Sequence, residues 1–410
     1  MEHSSNDLPN ARELEALAPK LRGFSCPQEI LDESFFTLIA TMYRAFVVDL
    51  FLEKHGAYLK KRSEGLVSLL KTGLELDALS EEVWADLALG GAFTVIRTRN
   101  TDAVPIVAAS LALQLSARPF VGQWDVDLGR PVRLTWKRWL LPLAERITFT
   151  RTIDYAKIQT SLAACSHESS FYRSGDDWKN DVLQPLSEFG THGSGIILLP
   201  RSALCMAGVP EVLETAIEAI DASLVARMQE AIELIAAHAP VYLPWVQRAV
   251  RYVVLTEPGQ VLEMNSGSWD HDFGLIQVSA NDLPAAIAEM LVHEASHQYF
   301  RLLCHLKPFD DGTDIARYYS PTVKKERPLS RIGLAYHAFA NIMLFYCSCL
   351  ESGIKDGDYC ERSKTRLAPD LRLLEIPIRQ SHALTIVGRS LCGPLLERLP
   401  MIAKSTTISA

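Results

Sequence analysis

The chain has no long run of basic residues, no C-x-x-C pair, no internal repeat and no low-complexity tract. Each absence removes a class of function. With 41 basic against 49 acidic residues and a net charge of −8, no stretch can track a phosphate backbone, so nucleic acid is not an expected partner. The eight cysteines, at 26, 165, 205, 304, 347, 349, 360 and 392, are too sparse for a disulfide scaffold and read as reduced, mostly buried thiols. Cys347 and Cys349 stand two apart, which on a helix points them away from each other and speaks against a metal pair. Gly190-Thr191-His192-Gly193-Ser194-Gly195 lacks the Lys-Ser/Thr ending of a phosphate loop, which argues against nucleotide binding.

Signals for export and for membrane insertion are also weak. The N-terminus, Met-Glu-His-Ser-Ser-Asn-Asp, is polar with no apolar core behind it, so a cytoplasmic protein is expected. Ile332 to Leu350 runs nineteen residues without a charged side chain. Tyr336, His337, Asn341, Tyr346 and Ser348 interrupt it, and polar groups in lipid are costly, so a helix buried in protein is expected and no membrane partner.

What the chain does have is the material of a globular enzyme: 410 residues, 48% apolar and 22% charged. Its first 85 or so residues read as helices, with apolar recurrence from Leu31 to Lys54 and from Leu66 to Leu87. Residues 90–160 are mixed, and Pro131 to Trp136 alternates like a strand. The polar patch Ser169 to Asn180 reads as a linker, followed by a strand over Gly195 to Leu199 and a helix from about Val209 to His238. Arg251 to Thr256 and Gly274 to Ser279 read as strands. The expected organisation is a mostly helical scaffold over 1–175, a metal-binding catalytic region over 176–365 and a C-terminal segment over 366–410 packing on it.

The most informative stretch is His293-Glu294-Ala295-Ser296-His297. Histidines at i and i+4 of a helix face the same way and can grip one metal ion. The context is helical: Asn281 and Asp282 are capping residues, Pro284 suits a first turn, and apolar residues recur to about His305. A catalytic metal needs a third ligand. His337, buried in the apolar helix after Pro328, is the first candidate, because a buried imidazole needs a partner. Asp310, Asp311, Asp314, Glu326 and Glu351 are the carboxylate alternatives.

Two chemistries fit such a centre. Zinc with three ligands leaves one position for water, and Glu294 would take its proton in a metallopeptidase. Iron(II) prefers six ligands, and three on one face leave room for 2-oxoglutarate and dioxygen. The distant carboxylate of 2-oxoglutarate then needs a cation, for which Arg327 and Arg331 are candidates. A strand near the helix can hold an extended peptide by main-chain hydrogen bonds, with Ser268, Trp269 and Tyr319 as candidate substrate contacts.

From the strand Gly274 to Ser279 through Leu291-Val292-His293-Glu294-Ala295-Ser296-His297, Tyr319-Ser320-Pro321 and Arg327-Pro328-Leu329-Ser330, the chain resembles the HExxH-type 2-oxoglutarate-dependent peptide β-hydroxylases. The likeness covers residues 275–350. It implies iron(II), 2-oxoglutarate and dioxygen as reagents and hydroxylation at the β-carbon of a residue in a ribosomally made peptide. In that family the histidine after the R-P element falls about one helical turn earlier, near Leu334; His337 lies three residues on, on roughly the same face. Under this reading Glu294 positions the metal environment or the substrate amide. The expected fold is α+β and predominantly helical, with a zincin-like core: a small sheet beside the HExxH helix and a second buried helix carrying a ligand. A zinc peptidase and a catalytically inactive peptide-binding protein are the alternatives.

Overall fold

Three kinds of pattern in the chain become three kinds of structure in the computed structural model, which describes residues 15–75, 88–98, 101–115, 122–163, 165–174, 177–191, 195–204, 215–257 and 266–405. In chain order the helices and strands run α1 (Ala18–Arg22), α2 (Glu33–Lys60), α3 (Glu64–Glu75), α4 (Ala88–Thr98), α5 (Val104–Leu115), β1 (Gly122–Val132), β2 (Thr135–Trp136), β3 (Trp139–Leu140), β4 (Ala144–Arg151), β5 (Tyr155–Leu162), β6 (Cys165–Ser174), β7 (Asp177–Lys179), β8 (Glu188–Phe189) and β9 (Ile196–Leu199). There follow α6 (Ala222–His238), α7 (Tyr242–Ala249), β10 (Val250–Thr256), β11 (Ser266–Ser268), β12 (Gly274–Ser279), α8 (Pro284–Cys304), β13 (Arg317–Ser320), β14 (Lys325–Pro328), α9 (Leu329–Glu351), α10 (Gly357–Gln380) and α11 (Ile386–Ser405). The fold is α+β with helix predominating.

The chain divides into two compact units that interleave in sequence. One contains residues 1–39, 226–249 and 281–410; the other contains 40–225 and 250–280.

The second of these is built on two sheets. β1-β4-β5-β6-β7 is antiparallel throughout. Its strands alternate buried and exposed residues, as a sheet covered on one face requires. The other, β11-β12-β10-β9-β8, is mixed, with β10 parallel to both β12 and β9. β10 is buried at nearly every position, which suits a central parallel strand whose sequence, Val-Arg-Tyr-Val-Val-Leu-Thr, is almost continuously apolar.

Two sequence expectations change here. Pro131 to Trp136 is not one strand: Val132 ends β1, and Thr135-Trp136 belongs to a separate short hairpin with Trp139-Leu140. The patch Ser169 to Asn180 is not a linker; it forms the β6–β7 hairpin, with Arg173 opposite Trp178. Its outward residues are polar because they face water, and that polarity imitates a linker. The helix expected from Val209 begins at Ala222, where the Asp221 side chain accepts the amides of Ser223 and Leu224 and so caps it; residues 205–214 lie outside the described residues.

The first unit is mostly helical, with the β13–β14 hairpin as its sheet element. α8 enters on Pro284, with Leu283 at the N-cap. Asn281 accepts the amide of Leu283 and Asp282 pairs with Arg227, so neither caps the helix as expected. Most of α8 and α9 is buried. α9 stops at Gly353, whose φ of 72° lets its amide reach Leu350 and that of Ile354 reach Cys349. Phe309 packs its ring on Phe300 of α8, and Gly333 of α9 leaves it room: a Cβ there would sit 2.2 Å from Phe309 Cζ. Among the described residues two helices, α2 and α9, are long and apolar enough to cross a membrane by length and composition, and α9 is mostly buried inside the protein.

Candidate metal centre

The site begins with spacing. His293 and His297 stand one turn apart on α8, their rings 4.5 Å apart and nearly perpendicular. Glu294 lies beside them and is 1% exposed, its Oε1 3.8 Å from His293 Nε2. Ligand atoms of His293, Glu294 and His297 all fall within 4.8 Å of one another. Among the described residues this is the group of metal-type donors that comes together.

The imidazoles are prepared to ligate. Burial lowers the pKa of His293, and Arg301 lowers it further against the opposing pull of Glu294. His297 is held well below its ordinary value by burial first, then by His293, Arg301, His337 and Arg331. Both rings are therefore neutral at pH 7, the form that offers a lone pair. Their Nδ1 atoms are buried and, among the described residues, have no hydrogen-bond partner. Two orphaned buried nitrogens, a buried carboxylate and surrounding positive charge fit a divalent metal ion.

His337 sits differently. Its Nε2 donates to the carbonyl of Phe24 at 3.0 Å, and one turn on Asn341 donates to the carbonyl of Ser25 at 2.9 Å. The pair clamps the segment that follows α1. Burial pushes the His337 pKa down to about 4, opposed by nearby backbone carbonyls. His337 is not in the 4.8 Å group, although its Nδ1 is buried without a hydrogen bond and its ring lies 5.8 Å from Phe300 of α8. An imidazole with one N–H on a backbone carbonyl and the other nitrogen open is the arrangement that ligating histidines adopt.

The carboxylate alternatives have other occupations. Asp310, Asp311 and Asp314 accept backbone amides two residues on, stitching turns, and Asp314 also takes the hydroxyls of Tyr318 and Ser381. Glu326 and Glu351 are exposed.

Of the two arginines proposed from sequence, Arg331 on the first turn of α9 is exposed, yet its charge acts on His297. Arg327 lies half-buried on β14 opposite Tyr318. Sequence reasoning missed Arg301, whose charge reaches both histidines. The signal was available: Arg301 is four residues after His297 and eight after His293, the same helical stripe. Tyr319 is 52% exposed on β13. Ser268 and Trp269 belong to the other compact unit, where Ser268 pairs with Ile276 and Trp269 packs on the apolar cluster of Leu199, Val254 and Leu275.

No family model matches the chain, and a search of curated proteins found no match.

Proposed function

We propose that the protein is an iron(II)- and 2-oxoglutarate-dependent hydroxylase acting on the β-carbon of a residue in a peptide. The observation that carries this reading is the grouping of His293, Glu294 and His297 within 4.8 Å. Two histidines and a carboxylate are the donor set of non-haem iron(II) oxygenases. His337 is a further nitrogen donor, and α8 with α9 would then be the zincin-like core. Arg301 and Arg331 support the same reading, because two guanidinium charges acting on the histidines suit the far carboxylate of 2-oxoglutarate. The Y-S-P and R-P-L-S elements favour it as well.

When bound, iron(II) with 2-oxoglutarate and dioxygen supplies the oxidant for C–H hydroxylation. The chain's own part is to hold neutral imidazoles at the metal, to place guanidinium N–H groups against a carboxylate, and to surround the centre with apolar side chains such as Phe339, 5.8 Å from His293. A dry setting strengthens each of these interactions.

A second reading is favoured by one specific feature. Glu294, buried beside His293, is also where a zinc peptidase would keep its general base. Oxygen uptake and succinate formation by iron-loaded protein, with and without added peptides, separate the two. The hydroxylase forms succinate and consumes oxygen. A zinc-loaded protein that cleaves peptides, while the iron form makes no succinate, overturns it.

A further inference from the structure

The inner face of the antiparallel sheet gathers a buried guanidinium and indole rings. Register places Arg151 of β4 opposite Gly122 and Ala156, Ala156 opposite Phe171, and Arg173 opposite Trp178. Trp136 touches Phe149, Phe171, Trp139 and Trp178 at ring distances of 4.4–6.2 Å, which ties β2 and β3 onto this face. Trp124 stacks on Phe149 at 5.6 Å. In this aromatic setting the Arg151 guanidinium lies 4.8 Å from the Trp178 ring.

Arg151 is 3% exposed, and among the described residues its Nε and Nη1 have no hydrogen-bond partner. The indole Nε1 atoms of Trp124 and Trp136 are likewise buried and unpartnered. Burial, with Arg173 adding like charge, lowers the Arg151 pKa to about 10. Among the described residues the charge that acts on it is therefore of its own sign.

Guanidinium and indole N–H groups donate and never accept, so they cannot satisfy one another. The ring of Trp178 offsets part of the charge but leaves the N–H directions unfilled. A buried charge in that state is costly, and proteins keep such groups when something binds them. Water could accept the hydrogen bonds; the buried guanidinium charge of Arg151 selects an anion over water.

We propose that this sheet face binds an oxyanion, a carboxylate or a phosphate, with Arg151 as its principal contact and Trp178 beneath the guanidinium. The planar guanidinium matches both anions. The site is independent of the metal centre, and its readouts need no metal.

The test is a titration of the full chain with inorganic phosphate, acetate, and a short peptide carrying either a free or an amidated C-terminus. Chloride at matched ionic strength is the control. Tryptophan fluorescence and thermal midpoint are followed for the wild type, Arg151→Met and Arg151→Lys. The proposal expects a saturable fluorescence change and a raised midpoint with phosphate or a carboxylate and none with chloride. It expects both variants to bind at least about tenfold more weakly, lysine lacking the planar fork. Preference for the free over the amidated peptide assigns the carboxylate to a chain end; preference for phosphate assigns a phosphorylated ligand. Arg151→Met should fold without anion at least as well as the wild type, since it removes an unpaired buried charge; if it fails to fold, Arg151→Lys and the wild-type midpoint still decide. Absence of any saturable response in the wild type, or equal binding by the folded variants, overturns the proposal.

Discussion

Alanine at His293 or His297 should abolish stoichiometric binding of iron(II) while leaving the far-ultraviolet circular dichroism unchanged. Each substitution removes a donor and creates no unpaired partner, and a drop in metal affinity beyond about 100-fold is expected by equilibrium dialysis. Both histidines were legible in the sequence, because i and i+4 spacing on a helix fixes their common face. Arg301 was not read, although it obeys the same spacing, since a single arginine on a helix looks like a solvated one. Arg301→Ala should weaken 2-oxoglutarate binding about tenfold or more, with Arg327→Ala near wild type, as measured by calorimetry on the iron-loaded protein under nitrogen. Equal effects at the two positions would return Arg327 to the site.

Glu289, on α8 one turn before His293, carries a prediction about pH. It is 1% exposed and accepts the hydroxyl of Tyr359. Burial, its largest influence, raises its pKa above the ordinary 4.5. The folded state therefore holds the proton more tightly than the unfolded state. That contribution to stability is complete below about pH 4.5 and is lost as pH climbs through the folded value. Glu289→Gln cannot ionise, so its stability relative to the wild type should rise from pH 4 towards neutrality in urea denaturation. A difference independent of pH would refute the assignment.

At the scale of elements, α9 depends on Gly333 as a gap. An alanine Cβ would meet the Phe309 ring at 2.2 Å, and Gly388 of α11 holds the same loop, where a Cβ would stand 2.3 Å from the Phe309 carbonyl. Because Phe309 is squeezed from two helices it cannot easily move, so Gly333→Ala should destabilise by about 1–3 kcal/mol in thermal or denaturant unfolding. A neutral substitution would mean that the loop gives way. The long periodic elements were legible: α8, α9, β10 and β12 follow their apolar patterns to within a few residues. What misled was polarity without periodic context. The β6–β7 hairpin is polar because one face meets water, and α6 starts where Asp221 caps it, at a position that apolar recurrence upstream concealed.

At the scale of the molecule, the sequence pattern announced a mostly helical α+β fold but not the division of the chain into two units that interleave in sequence. Within the unit that contains α8 and α9, contacts remote in sequence join the N-terminal segment to the later helices. Ser25 donates to the carbonyl of Leu391, and Arg398 pairs with Glu29; in the same way His337 and Asn341 take the carbonyls of Phe24 and Ser25. No local pattern reports such pairings, which is why the clamp made by His337, a ligand candidate from sequence, was not foreseen. The candidate metal group lies within two turns of a single helix, α8, so it could be anticipated.

The most direct measurement is an anaerobic titration of metal-free protein with iron(II) and then 2-oxoglutarate, with His297→Ala, His337→Ala and Glu294→Gln alongside. The account predicts a visible charge-transfer band of the chelated complex in the wild type and its loss in His297→Ala, while loss in His337→Ala or in Glu294→Gln names the third ligand. No band in the wild type, with tight zinc binding in its place, would contradict it.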